Sequence, residues 1–481
     1  MWLAYDIGTS ATKAALIDAT GRVVASAEQS YETHHGEDGI VEQHAPDWWQ
    51  AVREVTQNLA PDNITGIAVT GQMQNVILLA SDGTPVHPVI LYSDTRAKAQ
   101  AEAYTDSIDV DTLRRATGNK QGEGADGLPA KLLWLAQNRG DVLENAAQLL
   151  LGAADFVVHR MTGVFATDTT TASTTGLMNM AERGPLAAEL LPSSIQPVLS
   201  KLARFVPGGT QVGGLSVEAA DALGLPAGIP VHIGPGDAGA TTLGAGSRDP
   251  GTAYGYLGTS GWIGFSASQP SAPESGVITI AHPDDALVIQ VAPLLTAGGN
   301  LEQALAMLGA QDYEALLSEM APNPVRVIYL PYLNGERSPF IDPLARAAFI
   351  GIGANDNRST LTRAVVTGVA YGYRHALDEL TDTQLSQITF TGGGTRSAAW
   401  MQIFADVLGV PVQVAANAEH IGVIGAVVAA SVTSEAVTWV ATYTPNMAYR
   451  KFHDEQYRIF REAYPALKDV FAKLPSPPEA S

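Results

Sequence analysis

The sequence predicts an α/β protein of two domains with a ligand-binding cleft between them. The chain has 481 residues, more than one hydrophobic core usually serves. Its first half alternates strand-like runs with helical runs, as α/β folds do. The phrase Gly-Thr-Ser occurs at residues 8–10 and again at residues 258–260, each time in a turn between apolar runs. Two such loops in two halves suggest a phosphate chain held between related domains.

The first 30 residues predict a three-stranded meander. Apolar runs at residues 2–7, 12–19 and 22–28 are separated by turns that contain glycine. The first turn, residues 8–10, offers a phosphate backbone N–H groups without a bulky side chain, and the hydroxyls of Thr9 and Ser10.

Asp6, at the end of the first predicted strand, is a candidate metal ligand. A carboxylate beside a phosphate loop is repelled unless a cation lies between them. Mg²⁺ suits this position because it is commonly held by one or two carboxylates together with substrate phosphates. The alternative is that Asp6 caps a turn.

The rest of the first half continues the alternation. Strand-like runs cover residues 64–70, 76–80 and 86–92, and helical runs cover residues 48–59 and 132–137. A turn cluster at residues 248–251 precedes the second Gly-Thr-Ser. We therefore predict an N-terminal domain of residues 1–247 and a C-terminal domain of residues 248–481.

Asp237 is the candidate general base. It lies in Gly234-Pro235-Gly236-Asp237-Ala238-Gly239, which matches G-x-G-x-x-G and follows the strand-like run of residues 230–233. A dinucleotide site is disfavoured because no acidic residue ends a second strand about 20 positions later. A carboxylate in a glycine-rich loop after a strand can face a cleft and activate a sugar hydroxyl. The alternative is a turn-forming aspartate.

A third glycine-rich loop follows the predicted strand at residues 388–391. Gly392, Gly393 and Gly394 precede Thr395-Arg396-Ser397 and a helical run at residues 398–408. Bare backbone at a helix N-terminus can accept a planar or phosphorylated ligand. A flexible turn is the alternative.

Composition and missing motifs exclude several functions. The formal charge of -21 argues against nucleic acid and anionic membranes as partners. The chain has no cysteine, no apolar run long enough to cross a membrane and no signal-peptide pattern, so we expect a cytoplasmic protein. It also lacks a P-loop, an H-E-x-x-H pair and a G-x-S-x-G elbow.

These motifs together resemble the FGGY carbohydrate kinases, part of the sugar kinase, Hsp70 and actin superfamily. The resemblance covers nearly the whole chain. It rests on Asp6 to Ser10 with Lys13, Glu42-Gln43, Trp48-Trp49, Gly71-Gln72-Met73, Lys131 to Trp134, Gly236-Asp237, Gly258 to Gly261, Pro331 to Pro339 and Gly392 to Ser397.

The resemblance implies two ribonuclease H-like domains that close over sugar and ATP. Asp237 would take the proton from the attacking sugar hydroxyl, and Asp6 would hold Mg²⁺ through water. ATP would contact three sets of residues: Thr9, Ser10, Thr12 and Lys13; Gly258, Thr259 and Ser260; Gly392, Gly393, Gly394 and Ser397. Family members commonly form homodimers, and a homodimer is an expected arrangement here.

Within the family the chain most resembles the xylulokinases, which implies D-xylulose as substrate. The sugar would contact Met73, Gln74, Tyr92, Asp94 and Asp237. Many xylulokinases carry His at Gln74, Trp at Tyr92 and Asn at Ala238, so gluconate, ribulose, erythritol and other polyols stay open. An actin-like or Hsp70-like nucleotide switch is the alternative from another class.

Overall fold

The computed structural model describes residues 1–120, 124–125, 127–271, 276–310, 312–431 and 437–475. The strands of the first half are β1 (Trp2–Ile7), β2 (Ala11–Ile17), β3 (Val23–Ser30), β4 (His34–His35), β5 (Val41–Gln43), β6 (Gly66–Gly71), β7 (Ile77–Leu79), β8 (Val89–Ile90), β9 (Gln148–Leu150), β10 (Ala166–Asp168), β11 (Met178–Asn179), β12 (Gly184–Pro185), β13 (Arg204–Val206), β14 (Gln211–Gly214) and β15 (Pro230–Ile233). Its helices are α1 (Ala45–Leu59), α2 (Lys98–Ser107), α3 (Val110–Thr117), α4 (Leu128–Asn138), α5 (Gly140–Asn145), α6 (Ala153–Thr162), α7 (Thr169–Ser173), α8 (Val217–Leu223) and α9 (Asp237–Gly244).

The second half has fewer and longer elements. Its strands are β16 (Ala253–Leu257), β17 (Gly261–Ala267), β18 (Ile278–Ala281), β19 (Val288–Leu294), β20 (Ile328–Leu330), β21 (Ala348–Ile350), β22 (Ile388–Thr391), β23 (Val412–Ala415) and β24 (Trp439–Tyr443). Its helices are α10 (Gly299–Leu308), α11 (Tyr313–Ser318), α12 (Arg358–Leu380), α13 (Ala398–Leu408), α14 (Ile421–Ser431) and α15 (Arg450–Phe471). Among the helices of the described ranges, none combines the length and apolar character that crossing a membrane requires.

The first half is built on a six-stranded sheet in the order β14-β15-β6-β1-β2-β3. Strands β1, β2 and β3 are antiparallel, and β6 and β15 run parallel to β1. Tight turns join the antiparallel strands, whereas the parallel strands are reached through helical crossovers. The apolar side chains of β1 are buried, and Trp48 and Val52 of α1 belong to the same core.

The second half repeats this plan. Its seven-stranded sheet has the order β18-β19-β17-β16-β22-β23-β24, with β16, β17 and β19 antiparallel and β22 and β23 parallel to β16. The two halves therefore share three antiparallel strands followed by two parallel ones. The predicted fold class, two ribonuclease H-like α/β domains, is confirmed.

Helices α9 and α14 join the two halves. Although α14 lies late in the chain, Val423 and Ala426 pack into a core with Ala4 and Ala68 of the first sheet. Glycines allow the two helices to touch, because a Cβ at Gly425 would overlap the Ala240 carbonyl oxygen. A second contact lies at the edge of the other sheet, where Asn119 Oδ1 accepts from Thr279 N at 2.6 Å and Ser173 Oγ accepts from Ala281 N at 2.9 Å.

Candidate functional site

The first Gly-Thr-Ser loop connects β1 to β2, and its carbonyl groups accept hydrogen bonds from side chains of neighbouring segments. The Gly8 oxygen accepts from the Tyr31 hydroxyl and from Gln72 Nε2, the latter at 3.4 Å. The Thr9 oxygen accepts from Gln43 Nε2 at 2.6 Å. Thr9 is half-buried and Ser10 is exposed, so the loop reaches solvent.

The second Gly-Thr-Ser loop connects β16 to β17 in the same way. The Gly258 oxygen accepts from Gly298 N at 2.8 Å, and the Thr259 oxygen accepts from Ala297 N at 2.9 Å. Thr259 and Ser260 are exposed. The two loops thus occupy equivalent positions in the two domains, at the first turn of each sheet.

Asp6 is the last residue but one of β1 and faces Lys13 across the strand pair. Its side chain is half-buried, and its Oδ1 atom has no hydrogen-bond partner among the described residues. Desolvation raises the pKa of Asp6 to about 6, against the opposing effect of the Lys13 charge. This carboxylate oxygen is buried, and its capacity to accept a hydrogen bond or bind a cation is unused by the described residues.

Thr12 and Lys13 occupy opposite faces of β2. Thr12 was predicted to contact ATP, but its side chain is fully buried, because alternation along the strand turns it toward the interior. Lys13 is half-buried beside Asp6.

Asp237 is the first residue of α9, and part of its surface is exposed. Desolvation by the surrounding walls, together with the negative charges of Asp6 and Asp168, raises the pKa of Asp237 to about 7. A carboxylate with this pKa is poised to accept a proton near neutral pH.

Asp168 is a buried neighbour of Asp237 that the sequence reasoning missed. It ends β10, and its Oδ1 accepts from Thr171 N at 2.9 Å as the N-cap of α7. Desolvation raises the pKa of Asp168 to about 6, opposed by hydrogen bonds from backbone groups that include Gly236. An aspartate directly before a helix is a common N-cap, because its carboxylate can accept from the backbone N–H three residues later. The sequence alone does not place this aspartate beside Gly236.

Met73 and Gln74 form a second wall beside Asp237. A Cβ at Gly236 would overlap the Met73 sulfur, so these two segments are in direct contact. Gln74 adopts a left-handed conformation with φ +63° and is buried. Tyr92 is 41% exposed, and its hydroxyl accepts from Thr9 Oγ1 at 3.5 Å. Tyr92 therefore links the predicted sugar pocket to the first phosphate loop.

Asp94, predicted to contact the sugar, has a different position. It is fully buried, and both of its oxygens accept hydrogen bonds from Arg96 at 2.6–3.0 Å. Its Oδ2 also accepts from Val41 N at 2.7 Å, and Arg96 bonds Glu42 at 2.7 Å. Because these bonds occupy its carboxylate, Asp94 supports the segment that carries Tyr92 instead of facing a sugar.

The third glycine loop opens onto a cavity of about 530 Å³. Of the predicted ATP ligands, Gly258, Thr259, Gly393, Gly394 and Ser397 line it. Arg396, named in the loop but given no ligand role, also lines it, as do residues that the sequence reasoning missed: Tyr256, Leu301, Glu302, Tyr313 and Trp400. Gly392 does not line it but makes the turn into the loop, with φ +98°. Ser397 also caps α13, accepting from Trp400 N at 3.2 Å. Glycine backbone and aromatic walls suit a flat purine ring.

Comparison with known proteins gives a consistent result along the chain. The N-terminal domain profile of the FGGY family of carbohydrate kinases matches residues 1–244, and the C-terminal domain profile of that family matches residues 253–434. The chain is 28% identical over 418 residues to a xylulose kinase of Staphylococcus xylosus, covering 84% of this chain and 85% of the relative. It is 29% identical over 517 residues to an erythritol kinase of Brucella abortus, covering 98% of each.

Solved structures extend the similarity to three dimensions. The crystal structure of a protein described as a xyloylose kinase from Brucella ovis superposes with a TM-score of 0.86 at 30% sequence identity. The similarity covers 97% of this chain and 99% of that one.

Proposed function

The chain belongs to the FGGY family of carbohydrate kinases and is an ATP-dependent sugar kinase, and from this premise we propose that it phosphorylates a neutral ketose or polyol, with D-xylulose the favoured substrate. Asp237 carries the proposal. It stands at the start of α9, with part of its surface exposed and a pKa of about 7.

In the proposed reaction Asp237 accepts the proton of one sugar hydroxyl. That oxygen attacks the γ-phosphorus of ATP, the bond from the γ-phosphorus to the β–γ bridging oxygen breaks, and ADP leaves. The amides and hydroxyls of residues 8–10 and 258–260 face the phosphates from the two domains. Closure of the domains excludes water, which would otherwise compete with the sugar for the phosphoryl group.

Asp6 is the proposed protein contact of Mg²⁺. Its Oδ1 has no partner within the described ranges, which suits a hard cation or its water. Those ranges contain no cluster of three or more His, Asp or Glu side chains that could hold a metal, so the phosphates and water would complete the coordination. Mg²⁺ would neutralise charge on the phosphates. Asp6 would orient it through water.

The charge of the sugar side favours a neutral substrate over an aldonate such as gluconate. Asp237 and Asp168 are carboxylates, while the nearby cations are already engaged. Arg96 bonds Asp94 and Glu42, and Lys131 Nζ donates to the carbonyl of Leu91 at 2.7 Å. D-xylulose is favoured because relatives named xylulose kinases match most of the chain.

Erythritol is the second candidate. The erythritol kinase of Brucella abortus matches 98% of this chain, and Ala238 lacks the amide that many xylulokinases carry beside the catalytic aspartate. A small tetritol would need fewer contacts at this position.

The test is ADP release from ATP and Mg²⁺ with D-xylulose, D-ribulose, L-ribulose, erythritol, gluconate, glycerol or buffer alone. Strong turnover with D-xylulose supports the proposal. Turnover with gluconate and no other substrate would contradict the neutral-substrate assignment. Equal turnover in every sample, buffer included, would indicate ATP hydrolysis that needs no sugar, as in a nucleotide switch.

A further inference from the structure

Gln43 is a buried glutamine of the Glu42-Gln43 motif, to which the proposed reaction assigns no role. It lies at the end of β5, is 2% exposed and uses its whole amide in hydrogen bonds. Its Nε2 donates to Thr9 O at 2.6 Å and to Thr33 Oγ1 at 2.7 Å. Its Oε1 accepts from Trp48 Nε1 at 3.0 Å and from Gln72 Nε2 at 2.9 Å.

These four bonds fix which way the amide of Gln43 points. An indole N–H can only donate, so the Trp48 bond requires the oxygen of Gln43 on that side. The nitrogen of Gln43 must then face Thr9. The orientation follows from the hydrogen-bonding network.

Hydrogen bonds that fix the direction of a backbone carbonyl also fix the direction of the next residue's N–H. In a planar trans peptide the C=O and the next N–H point in opposite directions. With the Thr9 carbonyl held by Gln43, the Ser10 N–H points away from Gln43. With the Gly8 carbonyl held by Tyr31 and Gln72, the Thr9 N–H points away from those two side chains.

The second phosphate loop reaches the same arrangement with different donors. There the carbonyls of Gly258 and Thr259 are held by backbone N–H groups of residues 297–299. Pinned carbonyls are therefore common to the two loops, although the first half uses side chains where the second half uses backbone.

We propose that Gln43 is a positioning residue that aims the Ser10 amide at the phosphates of ATP. The inference rests on the proposed role of residues 8–10 in phosphate binding. Without the bond from Gln43, the Thr9 carbonyl keeps only the long bond from the Thr33 hydroxyl, at 3.4 Å. The peptide between Thr9 and Ser10 is then freer to rotate and present its carbonyl oxygen to the phosphates, which would repel them. Gln72 directly precedes Met73, so the same network ties the sugar-side wall to the phosphate loop.

The test compares binding of ATP with binding of adenosine, measured by calorimetry without sugar. Gln43→Glu keeps the acceptors for Trp48 and Gln72 but, when ionised, cannot donate to Thr9. Gln43→Leu removes all four bonds. Gln57→Glu and Gln57→Leu, at an exposed glutamine of α1, are matched controls. Thermal unfolding of each variant without ligand reports folding.

We expect Gln43→Leu, which adds no charge beside the phosphates, to bind ATP about tenfold to a hundredfold more weakly than the wild type, with adenosine binding unchanged. An unchanged ratio of ATP affinity to adenosine affinity in both folded Gln43 variants would overturn the inference. An equal loss of affinity for the two ligands is one form of that outcome. If the wild type itself binds ATP no more tightly than adenosine, the phosphate-loop assignment fails and the inference fails with it. The choice of sugar does not enter the test, so an error in the proposed substrate leaves the result interpretable.

Discussion

Gly422 of α14 packs against Asp6 of β1 so closely that a Cβ at Gly422 would lie 2.6 Å from Asp6 Oδ2. The two residues come from opposite ends of the chain, and α14 lies against the first sheet through the core it shares with Ala4 and Ala68. The position of the proposed Mg²⁺ contact therefore depends on a helix of the second half. Motion of one domain against the other can reach Asp6 through this contact.

Gly422→Ala should displace the Asp6 carboxylate. Real Cβ atoms do not approach this closely, so one of the two groups must shift. Since small displacements at a reacting centre can cost about a hundredfold in rate, we expect kcat to fall by up to that factor and the Mg²⁺ requirement to rise. Both are measured by titrating Mg²⁺ at saturating ATP and sugar.

The matched control is Gly140→Ala, where the new Cβ meets no described atom within 4 Å. Both substitutions replace a helical glycine, so both should gain in helix propensity. Equal activity of the two variants would show that the Gly422 contact does not position Asp6.

Asp237→Asn should fold normally and bind ATP but lose about 10² to 10⁴ in turnover, because an amide cannot accept the sugar proton. The exchange is nearly isosteric and removes a carboxylate that is partly desolvated, so the fold should tolerate it. Turnover and nucleotide affinity are measured on the same preparation. Near-normal turnover would remove Asp237 from the role of base.

The pH profile of kcat/KM should follow the ionisation of Asp237. With a pKa of about 7, the carboxylate is protonated below neutral pH and cannot act as base, so activity should fall as pH decreases through 7. Asp168→Asn removes a negative charge that raises this pKa. The pKa of Asp237 should fall and the acid limb should move to lower pH, while asparagine still caps α7. An acid limb that stays in place would contradict the coupling.

Local patterns predicted several elements with correct bounds. Residues 230–233, 388–391 and 398–408 form β15, β22 and α13 as expected, because each carries its own apolar run and adjacent glycines. Bounds were less accurate in short strands such as β8, where the predicted run of residues 86–92 contributes only Val89–Ile90. There, pairing with β5 rather than local propensity determines the strand.

The site was harder to predict where distant segments meet. The sequence marked Asp6, Asp237 and the glycine loops, because these residue types carry chemistry in turns. It did not place Asp168 beside Gly236, α14 against Asp6, or the Val41 N–H on Asp94 Oδ2. Those relationships depend on how loops from different strands converge at one sheet edge, which no local pattern encodes.

Gly393→Leu should fill the cavity of about 530 Å³ beside the third glycine loop. The Cβ of residue 393 would meet no described atom within 4 Å, so the fold should tolerate the change. The side chain would occupy space that we assign to adenosine, and the KM for ATP should rise about tenfold or more with the KM for sugar little changed. Gly140→Leu is the control, and an unchanged KM for ATP would place the purine elsewhere.

Ala238→Asn tests whether residue 238 determines which sugar the enzyme prefers. Ala238 follows the base and is half-buried, so an amide there could reach a sugar hydroxyl that alanine leaves without a protein partner. A hydrogen bond to a buried substrate hydroxyl changes specificity by about 1–3 kcal/mol, or about fivefold to 150-fold. We expect kcat/KM for D-xylulose to rise relative to erythritol by such a factor, with Ala187→Asn on the surface as control. If erythritol gains as much as D-xylulose, residue 238 contacts a hydroxyl that the two substrates share, and the selection between them lies with Gln74 and Tyr92.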